Sequence, residues 1–286
     1  MHVPVRPLRH KRPRVIESHA SRFFWENPKT ILNPHVSAEE FRQAMSAIHV
    51  GGTIKITGAN RHPEPDSLLV DNVDLTDAII LDIGASDGST SVDLAGRIGR
   101  FRAFIISDLY LSITAVECSG HTLFFDNDGQ CILIIGNRLL AWPSQSKPIR
   151  YLYHFLVKRA ARTPTNKEVL LLNPAARALL ADDNRVTYQA HDIFKEWKGE
   201  KPSVIKVANL LRRLYFSDEA INHALESVFR SLQDDGYLLV VDNPRIPGMP
   251  PRGGLYRREK THFAPIAHTT NLPEIDDLIT GMRVSE

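Results

Sequence analysis

The stretch "AIILDIGASDGSTSVDLA", Ala78 to Ala95, constrains the fold more than any other part of the 286-residue chain. An apolar run of strand length ends in a loop of small residues and passes into a segment with helical spacing. A buried strand that feeds a helix through a short loop is the opening of an α/β layer architecture. It also places Gly84-Ala85-Ser86-Asp87-Gly88 at the carboxyl end of the strand, where such sheets bind ligands. The chemistry of the chain therefore turns on what this loop holds.

Three readings compete. A nucleophile elbow needs Gly-x-Ser-x-Gly between strand and helix. Gly84, Ser86 and Gly88 have that spacing, and Asp242 and His262 follow in the chain order of α/β-hydrolases. Against it, residues 1–77 offer one weak strand where that fold requires several. Asp87 also sets an anion beside the backbone N–H that must stabilise an oxyanion. A dinucleotide fingerprint needs Gly-x-Gly-x-x-Gly, and Ser86 and Ser89 stand where two of those glycines belong. The third reading is a nucleoside without phosphate. Asp108 closes the next strand, "RAFIISDLY", and an acid there accepts hydrogen bonds from two ribose hydroxyls. With no phosphate to neutralise, Asp82 and Asp87 suit a ligand with a positive centre. S-adenosylmethionine (SAM) is such a molecule.

The rest of the chain supplies the frame. Ser37 and Glu40 have capping-box spacing, and Phe41, Met45 and Ile48 recur at helical intervals, so a short amphipathic helix is expected over 38–48, stopped by Gly51-Gly52. "GANRHPEPDS", 58–67, reads as a turn-rich connector. After residue 78, strands alternate with helices, which implies a mostly parallel sheet covered on both faces. The alternation is interrupted by "HTLFFDNDGQCILIIGNRLLAW", a β-hairpin turning at 126–129, and by a helical stretch at 149–161. Strands are expected again in "EVLLL", "RVTYQAHDIF", "PSVIKVANLL" and "GYLLVVDN". A helix capped by Ser217 precedes the last of these, and a closing hairpin lies in "GGLYRREKTHFAPIAHTT".

Four of these segments, in order, resemble the motifs of class I SAM-dependent methyltransferases. "ILDIGASDGSTSVDLA" resembles motif I. "FIISDL" resembles the second motif, with Asp108 at the ribose position. "VTYQAHDIF" resembles the third, where His191 and Asp192 flank the adenine. The run from "PSVIKVANLL" to "GYLLVVDN" resembles the fourth strand, its helix and the fifth strand. The match covers roughly 78–243. It implies an α/β fold of three layers, with a Rossmann-like, mostly parallel seven-stranded sheet, an N-terminal lid and an inserted hairpin/helical cap. The implied cofactor is SAM, held by Asp82, Gly84, Ala85, Ser86, Gly88, Asp108, Leu109, Asp192, Ile193 and Asn209. Two departures stand out: Ser86 replaces the usual second glycine of motif I, and about eighty residues separate the second strand from Asp192.

Methyl transfer is an in-line displacement at a sulfonium, so the protein mainly aligns the reactants and excludes water. His191, Tyr215 and Asn209 are the expected catalytic residues, with His154 and His262 as further base candidates. Arg212 and Arg213 are candidate contacts for an acidic substrate, and Phe23, Phe24 and Trp25 are candidate lid aromatics that shield a sulfonium. The expected division is 1–70 as lid and arm and 71–286 as the SAM-binding domain, with an insertion at about 110–185. Net charge of +2 on 35 basic and 33 acidic residues gives no global pull toward nucleic acid or membrane. Arg6, Arg9, Lys11, Arg12 and Arg14 nevertheless form a basic start, read as a solvated tail. Two cysteines make neither a disulfide framework nor a metal set, and no run reaches the roughly 18 apolar residues of a span. The expected setting is cytoplasmic, without a metal, acting on O or N of a small molecule, with a homodimer left open. SAM-consuming chemistry that releases methylthioadenosine, by cyclisation or aminocarboxypropyl transfer, is the alternative the motifs cannot separate.

Overall fold

A computed structural model describes residues 4–8, 26–51, 53, 54, 58, 60–164, 166–244, 246 and 248–284. The chain forms two compact units, one from residues 1–56 and 110–174 and the other from 57–109 and 175–286.

The first unit is built on a six-stranded antiparallel sheet. Its strands are β1 (Val5–Pro7), β6 (Ser112–Cys118), β7 (His121–Phe125), β8 (Cys131–Ile135), β9 (Leu139–Ala141) and β10 (Asn166–Leu170), in the order β1-β9-β8-β7-β6-β10. The two short strands β2 (His49–Val50) and β3 (Thr53–Ile54) form a separate ribbon. The expected hairpin is β7–β8, with Asp126 Oδ1 accepting from Asp128 and Gln130 N–H in its turn. Helix α1 (Ala38–Ser46) carries the full capping box, with Glu40 N–H donating to Ser37 Oγ at 3.2 Å and Ser37 N–H donating to Glu40 Oε2 at 3.1 Å. Its Phe41, Ala44 and Met45 pack on one face of the sheet, against Ile113, Phe124 and Leu140. Helices α4 (Lys147–Leu152) and α5 (His154–Ala160) cover the other face, against Val116, Leu123 and Ile134. Because both faces are covered, β8 reads as an unbroken apolar run rather than an alternating one, and all five of its residues are buried.

This unit corrects the expected division. The insertion is not a hairpin and helical cap but most of a domain, and the N-terminal segment completes it. Val5 pairs with Ala141 and Arg6 with Leu140, so β1 closes the β9 edge from more than a hundred residues away in the chain. An edge pairing of three residues leaves no periodic signal, which is why a lid and a cap are the natural reading of the sequence. The helix expected at 149–161 is broken at Tyr153 into α4 and α5.

The second unit holds α2 (Pro63–Asn72), β4 (Ile79–Ile83), α3 (Ser89–Ile98), β5 (Ala103–Asp108), α6 (Pro174–Asp182), β11 (Val186–Ala190), β12 (Val204–Ala208), α7 (Asp218–Ser231), β13 (Tyr237–Asp242), β14 (Arg252–Glu259), β15 (His262–His268) and α8 (Asp276–Gly281). Its seven strands run β11-β5-β4-β12-β13-β14-β15. The sheet is mixed. β11 to β13 pair in parallel, but β13/β14 and β14/β15 are antiparallel. The connection 243–251 is too short for the dozen or so residues of a parallel crossover, so β14 returns beside β13. Residues 63–72, expected within or beside a connector, are helical. Pro63 and Pro65 fall in the first turn, where the N–H they lack has no intrahelical partner.

Successive strand residues face opposite sides. Leu81, Ile83, Ile205, Val207, Leu238 and Val240 meet the Ile221, Leu225, Val228 and Phe229 stripe of α7. Asp82 and Lys206, direct neighbours across β4 and β12, therefore face the opposite layer, where α2 and α3 lie.

Candidate functional site

The Gly84–Gly88 loop leaves the carboxyl end of β4 in a conformation that only a few residue types tolerate. Gly84, Ser86 and Gly88 have φ of +78°, +58° and +79°. At Gly84 a Cβ would also sit 2.8 Å from Leu210 Cδ2, so a side chain there would be strained by its φ and would have to displace Leu210. The N–H groups of Gly84 and Ala85 donate to Ser107 O, both at 2.9 Å, and Ser86 N–H donates to Asp108 Oδ2 at 2.9 Å. The β4 loop is thus stitched to the end of β5. Asp87 Oδ1 accepts from Ser89 N–H at 3.0 Å and starts α3 by an Asx turn.

Beneath the loop lies a buried charge chain. Lys206 is fully buried and donates to Asp66 Oδ1 of α2 at 2.7 Å. Asp82, beside it on β4, accepts from Ser91 Oγ of α3 at 2.7 Å. Burial pushes the carboxyls of Asp66 and Asp82 upward, and Lys206 opposes both shifts. Asp82, expected at the cofactor, is committed to the core, where it holds α3 to β4.

Asp108 is 9% exposed at the β5 terminus, and Leu109 beside it is exposed. His191 N–H donates to Asp108 O at 3.1 Å, which brings the end of β11 to the same edge. The His191 ring packs edge-on against Trp197, and burial lowers its pKa. Asp192 turns the chain, with Oδ1 accepting from Phe194 N–H at 3.1 Å and Oδ2 3.3 Å from Lys195 Nζ. Ile193 is buried in the α7 layer.

Asn209 lies elsewhere on this edge. With φ +56° it turns back to β13, accepting from Asn243 N–H and donating to Asn243 Oδ1, both at 2.7 Å. His62 completes the cluster, its Nε2 2.7 Å from Asn243 Oδ1. The same Nε2 lies 3.3 Å from Asn209 Nδ2, and the buried Nδ1 has no partner among the described residues. Burial, reinforced by Lys206, lowers the His62 pKa to about 3. Sequence reasoning missed His62 and Asn243. His62 hides in the stretch read as a connector, and its only signal is its place before Pro63 at the start of a helix. Tyr215 is exposed in a turn after β12, where its N–H donates to Arg212 O. Arg212 binds Glu274 and Asn243 O, and Arg213 binds Asp218, Asp277 and Glu274. Both arginines anchor the 274–277 segment instead of presenting charge to a substrate.

The hydrolase triad is not assembled. β14 runs antiparallel to β13, with Arg252 opposite Asp242 and Arg257 opposite Tyr237. His262, next to Glu259, therefore lies at the amino end of the parallel strands, about 20 Å of strand away from Asp242. Asp242 itself is buried and accepts from Glu274 N–H at 2.7 Å. His154 belongs to α5 of the antiparallel unit. Phe23, Phe24 and Trp25, with Arg9, Lys11, Arg12 and Arg14, lie outside the described residues.

Numbered in chain order within the unit, the sheet reads 3-2-1-4-5-6-7. The loops after β4 and β12 leave toward opposite faces, α3 on one and α7 on the other, which makes the crevice between them a topological switch point. The unit is Rossmann-like. No family model and no curated protein matches the chain. Solved structures are similar in part. Phosphoethanolamine N-methyltransferase 1 of Haemonchus contortus, solved with phosphoethanolamine and S-adenosylhomocysteine, is 14% identical over 74% of this chain and 34% of its own, with a TM-score of 0.35. Human N-acetylserotonin methyltransferase, solved with SAM, is 13% identical over 72% of this chain and 38% of its own, with a TM-score of 0.33. The YcgJ protein of Bacillus subtilis is 15% identical over 63% of this chain and 51% of its own, with a TM-score of 0.32. The matched part spans about half or less of the length of these three structures. The likenesses are weak, and the fold rests on the strand order itself.

Proposed function

We propose that the Rossmann-like unit binds SAM and that the chain is a class I methyltransferase acting on O or N of a small molecule. The observation that carries this reading is the bond from Ser86 N–H to the Asp108 carboxylate. It holds an acid at the end of β5 against a left-handed loop at the end of β4, beside the switch point. That arrangement suits a nucleoside whose ribose hydroxyls reach Asp108, with the chain at His191 to Ile193 beside the base. The loop from Gly84 to Ser91 contains Asp87 and no lysine or arginine, and its chemistry favours a cationic, phosphate-free ligand over a pyrophosphate.

When bound, SAM supplies an electrophilic methyl on a sulfonium, with a good leaving group already in place. The residues of the chain then have to hold and align more than activate. Asp108 fixes the ribose, and the backbone of Gly84 to Gly88 shapes the floor. The His191 imidazole, its pKa lowered by burial, is the base candidate beside Asp108. Asn209 has a positioning role, because its amide is engaged with Asn243.

Calorimetric titration of SAM and S-adenosylhomocysteine tests the reading. Two charge-assisted hydrogen bonds to ribose put the Asp108→Ala affinity about 10- to 100-fold below wild type. Absence of SAM binding by the wild type overturns the assignment. Mass spectrometry of incubations with acceptor mixtures then separates the chemistries. S-adenosylhomocysteine marks methyl transfer, and methylthioadenosine marks attack on the methionine chain.

A further inference from the structure

A net charge of +2 conceals a strongly one-signed region in the antiparallel unit. Residues 129–167 contain seven Lys or Arg and no Asp or Glu. Within that stretch, α4 and α5 turn Ile149, Tyr153, Leu156 and Val157 toward the sheet. They turn Tyr151, Leu152 and Phe155 outward, at 87%, 71% and 84% exposure. Lys147, Arg150, Lys158 and Arg159 are exposed on the same two helices. Among the described residues none of these four cations meets a carboxylate; Arg150 Nε reaches only Pro143 O, at 3.4 Å. The acid on the strand beneath, Glu117 of β6, is already engaged by Thr122 Oγ1 at 2.5 Å and Lys29 Nζ at 3.5 Å.

Single exposed apolar residues are ordinary on a soluble surface. Three within five positions, rimmed by unpaired cations, mark an interaction site. We propose that α4 and α5 dock the protein on an anionic lipid membrane. Tyr151, Leu152 and Phe155 enter the boundary between headgroups and acyl chains, and Lys147, Arg150, Lys158 and Arg159 lie against anionic headgroups. The charge alone would also suit a nucleic acid, but Leu152 decides against it. A single strand stacks its bases on planar rings, and leucine has none to offer. A lipid boundary takes the tyrosine, the leucine and the phenylalanine together. The contact is peripheral, since no helix among the described residues is long and apolar enough to cross a membrane. It is also independent of the SAM reading, because every residue in it belongs to the antiparallel unit.

Co-sedimentation of the full chain with vesicles tests the proposal. Vesicles of phosphatidylcholine mixed with phosphatidylglycerol are expected to carry the protein down. Pure phosphatidylcholine, or the mixed vesicles in about 1 M salt, bind it about tenfold more weakly. Leu152→Ser with Phe155→Ser lowers binding to the mixed vesicles about tenfold. The circular dichroism spectrum and the melting temperature of that variant match wild type, because both side chains are exposed. Lys158→Glu with Arg159→Glu weakens binding and removes its salt dependence. Failure to bind mixed vesicles overturns the proposal, as does binding that Leu152→Ser with Phe155→Ser leaves intact. Retention of a single-stranded oligouridine, measured by fluorescence anisotropy in the absence of vesicle binding, assigns the surface to nucleic acid instead.

Discussion

The two units bury different things. In the Rossmann-like unit the interior holds Asp66, Asp82, Asp87, Asp108, Asp242 and Lys206, whereas among the described residues the antiparallel unit buries no Asp, Glu, Lys or Arg at all. Both units have extensive apolar cores, so the contrast is not one of having a core or lacking it. Buried charge is costly, and a hydrophobic replacement of similar volume often serves stability as well or better. The Rossmann-like unit keeps its charges under and around one loop, at the carboxyl edge of its parallel strands. The antiparallel unit keeps its charge outside, with Lys147, Arg150, Lys158 and Arg159 together on two short helices.

The largest effect expected from this contrast is at Lys206. Lys206→Met leaves Asp66 and Asp82 buried without their cation and costs about 3–5 kcal/mol of stability in denaturant unfolding. Adding Asp66→Leu recovers part of that loss. A neutral Lys206→Met would mean that the charge chain organises nothing, and the contrast between the units would collapse.

Next is a pH effect confined to the same unit. The folded His62 pKa is about 3, below its ordinary value of 6.5, so the unfolded chain binds this proton first. The stability it contributes is full above pH 6.5 and falls as pH drops toward 3, by about 2 kcal/mol between pH 7 and pH 5. Unfolding curves of wild type and His62→Gln at the two pH values should converge or cross by that amount. Parallel shifts would show that His62 is not held neutral. The raised carboxyls of Asp66, Asp82 and Asp242 act in the opposite sense, favouring the fold as pH falls, so the variant rather than the whole-protein profile isolates the histidine.

The smallest effect sharpens the comparison from the other side. Ser37→Ala removes the α1 capping box and destabilises by about 1 kcal/mol. If the two units divide their labour as described, calorimetry finds SAM affinity unchanged in this variant. A loss of affinity would tie α1 to the cofactor site.

Much of the Rossmann-like unit is legible in the sequence, because each element carries its own local signal. "AIILDIG" is apolar and of strand length, Ser217 caps α7, and Ile221, Leu225 and Val228 repeat at the helical interval. The places of Gly84, Gly88 and Asp108 are readable for the same reason, since they follow from the ends of β4 and β5. The antiparallel unit is legible only in part. The β7–β8 hairpin announces itself through its turn, but β1 and β10 join β9 and β6 by pairings between distant segments, and a three-residue edge strand such as β1 has no pattern of its own. At the site, Asp82 misleads because its motif position does not reveal that Lys206 stands beside it on β12. His62 is invisible because two prolines make the start of a helix look like a turn.

The way the chain visits its two units has a consequence at the ribosome. It leaves the Rossmann-like unit just after Asp108, builds most of the antiparallel sheet, and returns near residue 175. Every strand of the antiparallel sheet has been made by Leu170, when β4 and β5 still lack β11 on one side and β12 on the other. At about 5–20 residues per second, roughly 70 residues of synthesis separate β10 from the end of β13, a wait of several seconds. During it, β4 and β5 present open edges while the sheet made between them and their partners is already complete. Pulse-labelled nascent chains should accordingly gain protease resistance in two steps, with the segment 110–174 protected before the loop at Gly84.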